Sequence, residues 1–305
     1  MKLQKLMQDY FSSYEYRQLR DETKSQYKYF LDVMLHTQVD NKELVSLDCD
    51  KITTRMAKKA YDEWCERGIH LANHTISVTR ILYNHGLRQE LCTTNPFTNV
   101  RKRAAERRKV VWGRDDVRAF LDVAYSDFST RNVGLIAQMA YEWCQRLGDM
   151  RVLTWDRIDF DKQTVHIEQS KRRAEVFLPI SDELHEMLTE QAEDFGFQQY
   201  VAPRPNPIRG EHVPYTVHKL PLYARSIMDA AGLSKELRLS DLRRTGTTEM
   251  VEAGVGIAQI MSVTGHANPQ SVQPYIKNTL TSADRALTDR KNHAISISSA
   301  DKESI

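Results

Sequence analysis

The chain lacks the features that direct a protein out of the cell or into a membrane. No apolar h-region follows its start: 1-MKLQKLMQDYFSSYEYRQLR-20 has a polar residue every few positions, unlike a secretory signal. No run approaches the roughly 18 apolar residues of a membrane span. Cysteine is scarce, with four in 305 residues (Cys49, Cys65, Cys92 and Cys144). None forms a CxxC pair, so neither a zinc site nor a redox motif is indicated. Cys65 and Cys144 each follow a tryptophan in helix-like text. Buried free thiols are the plain reading there, and they fit a cytoplasmic location. No internal repeat is visible. Net charge is nearly absent too, because 43 basic residues balance 41 acidic ones to leave +2. Any sign of a nucleic-acid partner therefore has to be local.

What is present is the composition of a globular protein, 41% hydrophobic and 28% charged. Its length predicts two domains. The first hundred residues read as helices. Leu3, Leu6, Met7, Tyr10, Phe11 and Tyr14 follow the i, i+3, i+4, i+7 spacing of one helical face. Tyr27, Phe30, Leu31 and Met34 repeat it, with Asp21 or Thr23 placed to cap. Further helices are predicted at 53–68, closed by Gly68, and at 74–91. Asn95-Pro96 then breaks any helix. The segment 101-RKRAAERRK-109 follows, with six basic residues and one acid. It reads either as a solvated linker or as a strap across a phosphate backbone. The candidates for the strap are Arg101, Lys102, Arg103, Arg107, Arg108 and Lys109.

From Trp112 the text changes. Helices are predicted at 114–128 and 132–146, strands at 155–161, 164–169 and 175–180, and a hairpin turn at 170–174. A helix follows at 181–195, then a loop with four prolines over 200–215. Helices are expected again at 216–228, 240–253, 256–263 and 268–276. The fold class expected is mainly α with a small antiparallel β-sheet. The domains are 1–100 (helical), 101–112 (basic linker), 113–290 (α+β) and a polar tail, 291–305.

Breaking and rejoining a DNA phosphodiester without a metal makes definite demands. A nucleophile attacks phosphorus, cations balance charge on the equatorial oxygens, and an acid protonates the departing 5′ oxygen. Arginine suits the second task because its fork donates to two phosphate oxygens at once. Preorganised donors of this kind are usually the largest catalytic contribution. Four stretches carry such groups: 143-WCQRLGDMRVLTWDRIDFD-161, 170-SKRRA-174, 238-RLSDLRRTGTTEM-250 and 264-TGHANPQSVQPYIKNT-279. A lone arginine or a lone Gly-His says little. In this order and at these spacings, the set resembles the tyrosine recombinases of the phage integrase and Xer type.

That family carries Arg, Lys, a His/Lys-x-x-Arg pair, His/Trp and Tyr in the same chain order. Its first motif resembles the stretch holding Arg146, Asp149 and Trp155. Its hairpin lysine corresponds to Lys171. Its HDLRRT appears as 240-SDLRRT-245, which gives Ser240 and Arg243. Its ending matches Gly265-His266 and Tyr275, which stands nine residues after His266. The likeness spans the second domain. The first resembles the family's core-binding, SAM-like helical module, without sharp motifs.

The resemblance implies the roles. Tyr275 attacks a DNA phosphate and forms a 3′-phosphotyrosyl bond, Arg146 and Arg243 hold the phosphate, Lys171 is the general acid, and His266 donates to a non-bridging oxygen. Asp149 orients an arginine or a helix. Plainer readings stand beside these: Arg146 closing its helix, His266 capping one, Tyr275 in the core. Arg243 and Arg244 are adjacent and cannot share a helix face; the motif register selects Arg243. Two departures stand out. Ser240 replaces a histidine and is a poor general base, so water or a neighbour such as His218 would take the tyrosine proton. Pro274 precedes Tyr275, and it kinks the predicted helix or starts a new turn.

By the same resemblance the chain is a two-domain enzyme without an arm-site domain. It needs no cofactor, neither metal nor ATP. It acts on double-stranded DNA as a homo-tetramer, with accessory DNA-bending or directionality proteins as further partners and no membrane. Residues 279–295, with Leu280 and Leu287 as anchors, would dock on a neighbouring protomer. Integration or excision of a phage or other mobile element is the expected role. A catalytically silent DNA-binding protein of the same fold and a type IB topoisomerase-like enzyme are the alternatives.

Overall fold

The computed structural model describes residues 1–106, 108–171, 173–276, 283–284 and 286–292. The chain divides into two compact units, Met1–Arg108 and Lys109 onward. The first contains α1 (Leu3–Ser12), α2 (Tyr14–Arg17), α3 (Asp21–Leu35), the short strands β1 (Gln38–Val39) and β2 (Lys42–Glu43), α4 (Thr54–Arg67) and α5 (Ile69–Arg88). The apolar stripe from residue 3 is the inner face of α1, where Leu3, Leu6 and Tyr10 are buried. It ends with α1, and Tyr14 beyond it is exposed. Neither Asp21 nor Thr23 caps α3. Arg20 is the N-cap residue, and Asp21 lies in the first turn, where the helix dipole favours an acid. Only Gly68, at φ +137°, separates α4 from α5. Its permissive backbone lets one helix end and the next begin at once. Hence α5 starts at Ile69, earlier than its apolar spacing suggests.

Trp64 and Phe97 stack 6.2 Å apart in this core, and the Trp64 indole N–H donates to Thr37 Oγ1 at 2.7 Å. The chain after α5 stays fastened to it. Arg80 Nε donates to the Phe97 carbonyl at 2.9 Å. The Arg103 N–H donates to the Tyr61 hydroxyl at 2.6 Å, and the Arg103 side chain pairs with Asp62 at 2.7 Å. The Lys102 ammonium donates to Ser77 Oγ. Residues 101–103, read from the sequence as the start of a linker, thus run along α4 and α5.

The second unit contains α6 (Arg114–Tyr125), α7 (Phe128–Glu142), the single-turn α8 (Leu147–Met150), β3 (Ile158–Asp159), β4 (Thr164–Glu168), β5 (Glu175–Pro179), α9 (Asp182–Phe195), α10 (Leu220–Ala230), α11 (Leu242–Glu252) and α12 (Ile257–Thr264). The three strands form an antiparallel sheet in chain order. Val165 pairs with Leu178 and Ile167 with Val176, so all four face the core. His166 and Phe177 stack on the other face, 4.3 Å between centroids, as period-two alternation requires. The sequence overstates structure at two places. Of 155–161, Trp155–Arg157 is a 3₁₀ turn and only Ile158–Asp159 is strand. The helix expected at 268–276 is two 3₁₀ turns, Pro269–Ser271 and Gln273–Tyr275. Pro274 removes an N–H that a continuous α-helix needs, whereas Pro269 falls in the first turn, where proline is tolerated.

Among the described residues, no helix is long and apolar enough to cross a membrane, and no group of His, Cys, Asp and Glu is arranged to hold a metal ion. All four cysteines are free. Arg107, Leu280 and residues 293–305 of the expected tail lie outside the described residues, and Leu287 is exposed.

Candidate active site

The site begins where α7 stops. The sequence suggests a helix through residue 146, but α7 ends at Glu142. Cys144 takes the left-handed conformation, φ +51°. Its N–H donates to the Tyr141 carbonyl at 3.2 Å, and the Gln145 N–H reaches back to the Ala140 carbonyl at 3.2 Å. This is the paired bonding of a Schellman stop, in a conformation that costs a non-glycine residue roughly 1–2 kcal/mol. The Cys144 side chain is buried where α11 passes. A Cβ on Gly246 would lie 2.7 Å from Cys144 Sγ and 2.5 Å from the Tyr141 carbonyl oxygen. Gly246 therefore lets α11 lie directly on the end of α7. Arg243 stands three residues before Gly246 on the same helix face, and Arg146 stands two residues after Cys144.

The two arginines are held by different partners. Arg146 Nη1 donates to Gln169 Oε1 at 2.7 Å and lies 3.8 Å from the buried Asp149 carboxylate. Asp149 Oδ1 in turn accepts the Ser170 N–H at 3.0 Å. Arg243 Nη2 donates to the Thr264 carbonyl at 2.8 Å. Its Nη1 is buried and has no hydrogen-bond partner. Burial, followed by the charge of Arg146, draws the Arg243 pKa below the usual arginine value; Tyr275, Cys144 and Asp149 act the other way.

His266 and Tyr275 complete the cluster. Gly265, at φ +65°, ends α12 and turns the chain towards Arg243. The Thr264 hydroxyl donates to the Ile260 carbonyl at 2.7 Å and lies 2.7 Å from His266 Nδ1. Its only proton is committed, so Nδ1 is the donor to it. That leaves Nε2 facing Arg243 Nη2 at 3.4 Å. The rings of His266 and Tyr275 lie 6.0 Å apart. The Arg244 guanidinium lies over the Tyr275 ring, 5.2 Å from its centroid, within cation–π range. So the adjacent arginines divide: Arg243 turns inward to Arg146, and Arg244 covers the tyrosine.

The other candidates are not bonded into this cluster. Lys171 is exposed at the tip of the β4–β5 turn, and no hydrogen bond or ion pair holds its ammonium among the described residues. Ser240 is exposed in the 3₁₀ turn before α11. His218 is exposed before α10 and makes no ring contact or hydrogen bond among the described residues. Arg101, Lys102, Arg103 and Lys109 are exposed, with Lys102 and Arg103 already engaged on the first unit, and Arg108 is half-buried. The sequence reading missed Gln145, Gln169 and Thr264, which join the site's segments. Polar residues at a strand end or in a turn carry no signal of their own until the fold buries them.

Comparison with known proteins places this cluster in context. The model of the phage integrase family matches residues 113–281. No curated protein matches the chain at a significant level. Among solved structures, a lambda integrase dimer bound to a COC′ core site superposes with a TM-score of 0.76 at 18% identity, covering 92% of this chain and 97% of that one. A lambda integrase tetramer bound to a Holliday junction gives 0.74 at 18% identity, with 91% and 78% covered. The Tn1549 transposon integrase in complex with a circular intermediate DNA gives 0.75 at 15% identity, with 95% and 99% covered. At such identities the likeness is one of fold.

Proposed function

The chain belongs to the phage integrase family, and from that membership we propose that it is a site-specific recombinase that cuts and rejoins duplex DNA through a phosphotyrosyl intermediate. Tyr275 Oη attacks the scissile phosphorus, a 3′-phosphotyrosyl bond forms, and the P–O5′ bond breaks. The 5′ oxygen leaves with a proton from Lys171, which stands exposed in the β4–β5 turn. Arg146 and Arg243 take the non-bridging oxygens. His266, with Nδ1–H committed to Thr264, donates to a non-bridging oxygen from Nε2. Ser240 has no basic nitrogen, so water takes the Tyr275 proton. The covalent bond preserves the phosphoester energy, so no ATP is needed, and the two arginines supply the positive charge at the phosphate.

One observation carries this reading: a buried arginine N–H without an acceptor, beside a second arginine. An unmet buried donor costs about 1–3 kcal/mol, more on a charged group. A phosphodiester oxygen answers the donor, and its negative charge answers the pair. The pentacovalent transition state carries more negative charge than the diester, so the pair favours it most.

Strand exchange takes two duplexes and four cleavages, so we assign a homo-tetramer on DNA. The first unit and the basic residues Arg101, Lys102 and Lys109 would bind the backbone. Integration or excision of a phage or other mobile element is the assigned role, with DNA-bending or directionality proteins as further partners. The test is covalent capture from a pool of nicked duplexes with randomised cores. DNA retained after denaturation, and lost with Tyr275→Phe, is the expected result. No retention from any sequence would indicate a silent binder. Relaxation of arbitrary supercoiled DNA without strand exchange would indicate a topoisomerase-like enzyme.

A further inference from the structure

Gln169 takes part in no step above, yet it is completely buried in the middle of the site. Its side chain joins three segments. Nε2 donates to Gln145 Oε1 at 2.7 Å and to the Thr264 carbonyl at 2.7 Å, and Oε1 accepts from Arg146 at 2.7 Å. These partners fix which way the amide points. Turned over, it would set its oxygen against two carbonyl-type oxygens and its NH₂ against a guanidinium. Gly265 clamps it from one side, since a Cβ there would lie 2.5 Å from Nε2. Gln145 is itself anchored, donating to the Trp143 and Val263 carbonyls at 2.8 and 2.7 Å. The Thr264 carbonyl that Gln169 holds is also the acceptor for Arg243. One neutral amide therefore touches Arg146 directly and Arg243 through a shared acceptor.

The neutrality matters. A carboxylate at this position would orient Arg146 but also pair with its charge and compete with a phosphate. The Asp149 carboxylate already lies 3.8 Å from Arg146, and an amide oxygen orients the fork without adding a second negative charge beside it. We propose that Gln169 is a positioning residue that sets the Arg146 fork for the scissile phosphate, acting through Arg146 without touching DNA. This inference rests on the recombinase reading. It concerns the side chain alone: the Gln169 backbone separately closes the Lys171 turn, donating to the Ala174 carbonyl at 2.8 Å and accepting from the Arg173 N–H at 2.8 Å. Replacing the side chain leaves both of those bonds available.

The test is the single-turnover rate of covalent adduct formation on a duplex recovered by the random-core selection. It uses wild type and Gln169→Leu, with three scissile groups: the natural phosphate, a neutral methylphosphonate and a 5′-bridging phosphorothiolate. On the phosphate, Gln169→Leu is expected to slow adduct formation roughly a hundredfold, the effect of a displaced catalytic group, at unchanged DNA affinity. On the methylphosphonate, which has no charge to balance, the gap to wild type should close to within a few-fold. On the phosphorothiolate, whose sulfur leaves without an acid, the gap should persist, because the Lys171 turn is intact. Gln169→Glu, of matched size but with acceptors facing Gln145 and Thr264, should show the same pattern. An equal deficit on all three substrates would mean general unfolding and overturn the proposal. So would an undiminished rate on the phosphate. If wild type forms no adduct with any duplex, the recombinase reading itself fails and this inference goes with it.

Discussion

At Gly265, the difference between a hydrogen atom and a methyl group decides the geometry of the site. A Cβ there meets Gln169 on one side, and the left-handed φ of +65° strains any side chain. Gly265→Ala should cost at least about 1–2 kcal/mol in urea unfolding of the second unit. Adduct formation should fall further than stability does, since the displaced amide is the one bonded to Arg146. Unchanged unfolding would show that the backbone relaxes freely at this corner. Single residues were unevenly legible in the sequence. Arg146, Arg243, His266 and Tyr275 stand out because motif order marks them, and the fold brings them together. Gln145 and Gln169 do not stand out, because a buried amide network exists only once α7, β4 and α12 meet. That Arg243 turns to Arg146 and Arg244 to the Tyr275 ring follows from helix geometry, as adjacent residues face different ways. Lys171 is legible as a turn residue, and it stands exposed in that turn.

At the scale of elements, boundaries diverged from the sequence where backbone strain or proline intervened. Glycine is the usual mark of a helix stop; α7 stops on Cys144, so nothing in the text marks it. The β1–β2 hairpin also went unread, its strands being too short for periodicity. Its turn residues Asp40 and Asn41, at φ +51° and +62°, are among the few non-glycine types that tolerate that conformation. The turn carrying the nucleophile is the most consequential case. Pro274 lies inside the 3₁₀ turn whose Tyr275 N–H donates to the Val272 carbonyl at 2.9 Å. Its ring narrows the conformations available to that turn. Pro274→Ala should loosen the turn by about 0.4–1 kcal/mol, which corresponds to a two- to fivefold slower adduct rate. A rate equal to wild type would show that the turn is held by its neighbours alone.

Across the whole molecule, each unit closes its own core, and each buries titratable groups that resist ionisation. Burial is the main cause that pushes Cys49 in the first unit and Cys144 in the second up to about 11, and Tyr10 up to about 12. Burial also raises Tyr83, Tyr125, Tyr141 and Tyr215. A raised pKa means that the native state keeps its proton when the unfolded chain has lost it. The resulting stability is complete below the ordinary thiol value of about 9 and disappears as pH rises through the folded values. Urea midpoints of both units should therefore hold near neutrality and fall between about pH 9 and 11. Tryptophan fluorescence can follow this, through Trp64 in one unit and Trp112, Trp143 and Trp155 in the other. A midpoint unchanged to pH 11 would contradict the burial of these groups. The helical class was legible from periodicity. The close contact of α7 and α11 was not, because it depends on what Gly246 omits.

The connector between α7 and α8 spans only Trp143–Arg146, and none of its positions is spare. The Trp143 indole donates to the Pro179 carbonyl at 3.1 Å, Cys144 makes the left-handed turn, Gln145 anchors Gln169, and Arg146 opens α8. Length is therefore constrained here as tightly as identity. One inserted residue would leave every side chain present and still swing Arg146 away from Gln169. In the proline-containing loop over 200–215 only the stretch 206–211 is exposed throughout, and an insertion there touches none of these contacts, whereas this four-residue link has no such stretch.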